Sequence, residues 1–240
     1  MDDACWFLTR DFGHGVRRIG EAGLGPRHAA NIWLVTGRDK ALLIDAGVGV
    51  LPLKPAVEAS TDQPVICLLT HGHYDHIGGG WEFADRRAHA AEAAILAAPT
   101  PEATQWQGWL TDAAFLTHPY PGFRMADYAL KPAAPSQLVG HGDEIDLGGR
   151  LLTVLHVPGH SPGLLAVYER ETGLLFTSDA LYDGPMYFDL PGSDARAARE
   201  SMALLSSLPV RTVHPGHGES FSGARLRQIA DEQSRVLIPS

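Results

Sequence analysis

The sequence predicts a layered α/β fold. Apolar, strand-like segments alternate with helical ones, an order typical of sheets that are covered by helices. The strands fall into two runs, which can form two facing sheets. The chain has 240 residues and 45% of them are hydrophobic, enough for the core of a large domain. We therefore expect residues 1–240 to form one domain.

The first run of strands lies in the N-terminal part. Apolar segments predict strands at 5–9, 16–19, 31–36 and 41–45. Residues 37–40 have the composition of a hairpin turn, so these strands should form one antiparallel sheet. A further strand is predicted at 65–69, with helices at 50–60, 77–83 and 91–98.

The second run begins after residue 140. A strand and turn at 143–149 precede strands at 151–157, 164–168, 174–177 and 211–214. Helices are predicted at 193–208 and 224–236. Ser193 or Asp194 is the expected N-cap of the first of these helices, because a side-chain oxygen there can accept from the free N–H groups of the first turn.

Residues 99–137 have a different character. This insertion is rich in proline, lacks regular periodicity and carries six aromatic residues: Trp106, Trp109, Phe115, Tyr120, Phe123 and Tyr128. A disordered segment would be poor in aromatic residues. Apolar pockets and subunit interfaces both favour them, so we weigh a lid over a substrate pocket against a homodimer contact, and we favour the lid.

The acidic composition limits the choice of partners. Asp and Glu number 28 against 19 Lys and Arg, for a formal net charge of -9. Long nucleic acids would be repelled, so we expect a small-molecule substrate. The chain has no apolar run of about 18 residues and opens with acids rather than a basic leader, which predicts a cytoplasmic protein without membrane contact. Cys5 and Cys67 are too few for a disulfide framework.

The segment 70–80 reads THGHYDHIGGG and follows the predicted strand 65–69. It contains four potential metal ligands. Residues two apart in an extended segment point to the same side, so His71 and His73 can bind one ion. Asp75 and His76 are adjacent and are better placed for a second ion.

Three later segments repeat the pattern of a strand that ends in a ligand-type side chain. His160 lies in the turn PGHSPG and is the expected third ligand of the first ion, in preference to His156 within the preceding strand. Asp179 follows the strand 174–177 and can bridge two cations through its two oxygens. His217, in the turn HPGHG, would complete the second ion. We assign no chemistry to the other seven histidines: His14, His28, His89, His118, His141, His156 and His214.

The motif HxHxDH and the later ligands resemble the metallo-β-lactamase superfamily from about residue 31 to about residue 221. The resemblance implies a four-layer αββα sandwich with two divalent ions, preferably zinc rather than iron or manganese. It assigns His71, His73 and His160 to one ion and Asp75, His76 and His217 to the other, with Asp179 between them. An aspartate at the place of Asp45 lies behind the ligands in this superfamily, although a turn or capping role is an equal alternative.

Such a site predicts a hydrolase in which a metal-bound hydroxide attacks a carboxylic ester, lactone or thioester. Asp75 could orient the nucleophile or pass a proton to the leaving group. The residues resemble glyoxalase II-like thioesterases and lactonases more than true β-lactamases, which lack a histidine at the place of His76. A lactonase tyrosine that hydrogen-bonds the substrate carbonyl corresponds to Tyr182, for which a packed core tyrosine is the alternative. A mononuclear iron oxidoreductase of the persulfide dioxygenase type and a phosphoester hydrolase remain as alternatives.

Overall fold

The computed structural model describes residues 6–237. Two mixed β-sheets pack face to face, and helices cover the outer surface of each sheet. This arrangement confirms the predicted αββα sandwich. The two sheets are described first because the ends of their strands carry the candidate site.

The first sheet is ordered as in the chain. Its first four strands are antiparallel, as predicted, whereas the later neighbours pair in parallel. The strands within the described residues are β1 (Phe7–Asp11), β2 (Val16–Glu21), β3 (Ile32–Thr36), β4 (Ala41–Ile44), β5 (Val65–Leu68), β6 (Asp85–Ala88) and β7 (Gln137–Leu138). The strand predicted at 5–9 thus begins at Phe7, and Cys5 lies outside the described residues.

The second sheet has the order β13-β12-β11-β10-β9-β8. Its pairs are antiparallel except β11 and β12, which are parallel. The strands are β8 (Glu144–Asp146), β9 (Leu151–His156), β10 (Leu165–Glu169), β11 (Leu174–Ser178), β12 (Thr212–Pro215) and β13 (Phe221–Ser222). Strands β6, β7 and β13 were not predicted from the sequence.

The core has one apolar layer between the sheets and one beneath each set of helices. Side chains of β3 to β5 meet those of β9 to β11 in the central layer. Helices α1 (Lys54–Glu58), α2 (Tyr74–Ile77) and α3 (Ala93–Ala97) lie by the first sheet, and α4 (Ala195–Ser207) and α5 (Gly223–Val236) cover the second. The side chain of Asp194 caps α4 by accepting from the N–H groups of Arg196 and Ala197, at 2.8 and 3.0 Å.

The prediction of a helix over 77–83 is wrong. Helix α2 ends at Ile77, and after two glycines a separate 3-10 turn covers Gly80–Glu82. The N–H groups of Gly78 and Gly79 donate to the carbonyls of Gly47 and Ala46, at 2.7 and 2.9 Å. A Cβ on Gly78 would lie 2.1 Å from the backbone of Val48. The glycines therefore allow the chain to leave the helix and pack against the loop after β4.

The aromatic insertion packs against the end of the first sheet. Its side chains join Trp6, Leu24, Val48 and Tyr74 in a fourth apolar cluster. Two hydrogen bonds to backbone carbonyls fix it there, since the hydroxyl of Tyr128 donates to the Val48 carbonyl at 2.9 Å and the N–H of Tyr74 donates to the Thr104 carbonyl at 2.9 Å. The insertion thus lies beside the helix that carries Asp75 and His76.

No helix within residues 6–237 is both long and apolar enough to cross a membrane.

Candidate metal centre

Loops that follow the strands of both sheets form the candidate site. Because β4 and β5 are parallel neighbours, Asp45 and the segment from Thr70 to His76 leave the first sheet at the same edge. Asp179 and His217 leave the second sheet together, since β11 and β12 are also parallel. The turn after β9 adds His160. The fold therefore gathers all of the predicted ligands at one edge of the sandwich.

His71, His73 and His160 form the first group. One ring nitrogen of each lies within 4.8 Å of those of the other two, close enough to hold one ion. Nδ1 of His73 is 2.9 Å from Nε2 of His160. The other nitrogen of His160, Nδ1, donates to the Tyr187 carbonyl at 3.0 Å, which leaves Nε2 free to bind a cation.

Asp179 lies between this group and a second one. Its Oδ2 is 3.6 Å from Nε2 of His160 and 3.4 Å from Nε2 of His217, and its Oδ1 is 3.4 Å from Nε2 of His76. Asp75, His76 and His217 form the second group, again with ligand atoms within 4.8 Å of one another. The carboxylate of Asp179 therefore faces both groups.

Four buried polar atoms of the seven ligand-type residues have no hydrogen-bond partner within residues 6–237, and one of them is Nδ1 of His217. The other three are Nε2 of His71, Nε2 of His76 and Oδ1 of Asp179, whose residues also form a group that can hold an ion. Unpaired buried polar atoms are costly and uncommon in folded proteins. Their convergence fits a bound cation.

The charges of the cluster also suit a cation. Burial, together with the neighbouring His76, lowers the pKa of His71 well below its usual value, so its imidazole is neutral. Burial alone would raise the pKa of Asp179, but His217 and His76 hold it well below its usual range. Burial likewise opposes the charged form of His76, yet Asp179, Asp75 and Asp45 raise its pKa well above the usual value. The three carboxylates therefore stabilise a positive charge next to His76, as they would stabilise a bound cation.

Asp45 supports the ligands from behind. Its Oδ2 is 2.8 Å from Nδ1 of His76, so the imidazole donates there and presents Nε2 to the cluster. Its Oδ1 accepts from the N–H of Thr70 at 2.9 Å, and the Ser178 hydroxyl donates to Oδ2 at 3.2 Å. Of the two roles that the sequence left open, this geometry corresponds to the supporting one.

His156, the alternative to His160, lies outside the cluster. Its ring stacks on that of His89 with the centroids 4.0 Å apart, and its Nε2 is 2.9 Å from the Pro162 carbonyl oxygen. The preference for His160 thus agrees with the geometry.

A pocket opens over the cluster. The apolar and aromatic side chains of its wall are Pro26, Tyr74, Trp109, Tyr182, Pro185, Tyr187 and Leu190. Trp109 packs edge-on against Tyr187, with the ring centroids 5.1 Å apart. Gln105 and Trp109 belong to the insertion 99–137, which therefore supplies part of the wall.

Tyr182 is 6% exposed, and its ring packs against His217 with the centroids 5.4 Å apart. Its hydroxyl donates to the Pro185 carbonyl. The hydroxyl that was expected to donate to the substrate carbonyl therefore donates to a backbone carbonyl instead.

Sequence reasoning missed two residues of this region. Arg27 lines the pocket, and Glu92 is buried beside the ligand loops. Neither lies in a recognisable motif, and Glu92 was treated only as part of a helix over 91–98. The one signal in the sequence was the position of Glu92 within an apolar helical segment, because a charge that is buried there needs hydrogen-bond partners.

Comparisons with known proteins agree with this geometry. The sequence pattern of the Metallo-beta-lactamase superfamily matches residues 25–217. The acyl-coenzyme A thioesterase MBLAC2 of Gallus gallus is 36% identical over 239 residues, which cover 94% of this chain and 85% of that protein.

Two solved structures resemble the fold. A metallo-beta-lactamase from Pontibacter korlensis has a TM-score of 0.70 at 17% identity, covering 96% of this chain and 98% of that one. TTHA1623 in a di-iron-bound form has a TM-score of 0.64 at 29% identity, covering 86% and 96%. The chain belongs to the metallo-beta-lactamase superfamily, and within it the chain is a metal-dependent hydrolase.

Replacing Tyr182 with Phe tests whether its hydroxyl acts on the substrate. Because that hydroxyl is bonded to Pro185, we expect kcat to stay within about tenfold and stability to fall by about 1 kcal/mol, the worth of one hydrogen bond. Steady-state kinetics and denaturant unfolding measure the two effects. A loss of about 100-fold to 1000-fold in kcat with normal metal content would instead assign the hydroxyl to the developing oxyanion.

Proposed function

We propose that the protein is a dinuclear metal-dependent thioesterase for acyl-CoA-type substrates. The observation that carries this proposal is the convergence of seven ligand-type side chains, five of which line an apolar pocket. The similarity to acyl-coenzyme A thioesterase MBLAC2 over most of both chains supports the same reaction.

The arrangement favours two ions over one. A mononuclear iron site would need one group of three ligands, whereas Asp75, His76 and His217 form a second group on the other side of Asp179. We propose zinc because imidazole-rich sites with carboxylates suit that ion. The di-iron form of TTHA1623 makes iron the alternative to test.

Divalent ions bound here would polarise the thioester carbonyl and lower the pKa of the attacking water. A side chain of the protein would handle the proton of this reaction. Asp75 lines the pocket, and we propose its carboxylate as the acceptor of the proton that the water releases. As the carbon–oxygen bond forms and the carbon–sulfur bond breaks, that proton can pass to the leaving sulfur.

The pocket wall would hold the acyl group. Trp109, Tyr187 and Leu190 are half-buried and offer apolar surface next to His73 and His160. Covering this surface with an acyl chain would exclude water from the carbonyl. We therefore propose that residues 99–137 act as part of a substrate lid, and association into a homodimer stays a prediction.

A substrate panel tests the proposed function. We expect the purified protein to release free thiol from octanoyl-CoA, a chelator to reduce the rate to background, and added zinc to restore it. The panel includes an acyl-homoserine lactone and a phosphodiester, with oxygen uptake measured on a glutathione persulfide. Turnover of one of these in place of the thioester would contradict the proposal.

Arg27 places a positive charge at the wall of the pocket. It is exposed and is the one Lys or Arg among the described residues that line the pocket. With a formal charge of -9, the chain as a whole repels an anion such as coenzyme A. A guanidinium at this position can bind a phosphate group outside the pocket while the acyl group lies inside.

Replacing Arg27 with Gln should raise KM for octanoyl-CoA about tenfold and leave kcat unchanged, because a hydrogen bond between charged groups contributes about 1.5–3 kcal/mol. The same thioester on N-acetylcysteamine has no phosphate, so its KM should not change. Arg124→Gln is the matched control, since that arginine is exposed but ion-paired with Asp127. Equal changes in KM for both thioesters would contradict this role of Arg27.

A further inference from the structure

Glu92 is a buried acid that the ligand set does not use. It ends the 3-10 turn Ala90–Glu92, just before α3, and is 1% exposed. A carboxylate at such depth costs free energy unless hydrogen-bond donors surround it. Its donors come from two loops that belong to different sheets.

The Oε2 atom accepts from the N–H of Gly72 at 3.0 Å. The Oε1 atom accepts from the hydroxyl of Ser161 at 3.0 Å and from the N–H of Gly163 at 2.7 Å. Gly72 lies between His71 and His73, and Ser161 directly follows His160. One carboxylate is thus hydrogen-bonded next to all three histidines of the first group.

The two glycines make this approach feasible. A Cβ on Gly72 would lie 3.0 Å from Oε2, and a Cβ on Gly163 would lie 2.6 Å from the side chain of Glu92. Either side chain would push the carboxylate away from the loop. Glycine at these two positions therefore allows both loops to lie directly against the side chain of Glu92.

We infer that Glu92 is a positioning residue that sets the distance between His160, on the second sheet, and His71 and His73, on the first. This inference rests on the metal site of the proposed function. The three histidines can share an ion only while the two loops keep their separation. Residues that orient metal ligands typically change metal affinity by about 10-fold to 100-fold when replaced.

Glu169, a buried acid whose side-chain partners lie away from the site, serves as the matched control for Glu92. Glu169 is 3% exposed, forms two bonds with Arg150 at 2.6 and 2.8 Å and accepts from Thr172. It ends β10, whereas Leu165 at the start of that strand bonds to Thr70 beside the site. Replacing Glu169 should therefore lower stability without moving the ligands.

The test compares Glu92→Gln and Glu169→Gln by zinc competition with a chromophoric chelator, and by melting of the metal-free proteins. A glutamine has one acceptor oxygen, so its NH2 group must face a donor on one of the two loops. We expect both variants to melt earlier than wild type. Only Glu92→Gln should bind zinc about 10-fold to 100-fold more weakly.

Ser161→Ala covers the case in which Glu92→Gln does not fold, because it removes one of the three bonds and keeps the carboxylate. It should weaken zinc binding in the same direction and by less. Wild-type zinc affinity in Glu92→Gln, or in Ser161→Ala where the first variant does not fold, would overturn the positioning role. If the wild-type protein itself binds no zinc or iron, the proposed metal site fails as well.

Discussion

The carboxylate of Asp45 joins the two sheets at the edge where the ligands converge. It follows β4 on the first sheet, and it binds Thr70 after β5 and Ser178 at the end of β11 on the second. Ser178 and Thr70 also bond to each other, with their hydroxyl oxygens 2.7 Å apart. A buried carboxylate is stable only when hydrogen-bond donors surround it. The contacts of Asp45 with Thr70 and Ser178 therefore favour the arrangement in which these strand ends lie close together.

This link has consequences for the site. Asp45 fixes the ring of His76 through Nδ1, while Ser178 directly precedes Asp179, so a single acid orients one ligand and anchors the segment of another. Asp45 and Ser178 both have positive φ, 65° and 44°. Such backbone conformations are uncommon outside glycine and persist where surrounding contacts hold them, often at functional sites.

The sequence predicted most of the fold and the group of ligand-type residues. Segments such as 41–44 and 65–69 are continuous runs of apolar residues, and the ligand-type residues lie in the turns and loops shortly after such strands, so local pattern was sufficient. The missed features depend on contacts between distant segments. The helix over 77–83 failed because Gly78 pairs with the loop after β4, and the bond of the Tyr182 hydroxyl to Pro185 depends on a turn without a sequence signal. Glu92 was missed for the same reason, since its partners lie 20 to 71 positions away.

The site combines ligands from both sheets, with Asp179 facing the two groups of three. The central claim is that these seven side chains bind two ions. Anomalous diffraction from crystals of the metal-loaded protein tests it most directly. We expect two peaks about 3.5–4 Å apart, one bound by His71, His73 and His160 and the other by Asp75, His76 and His217, with Asp179 in contact with both. A single peak, or peaks away from these residues, would contradict the account.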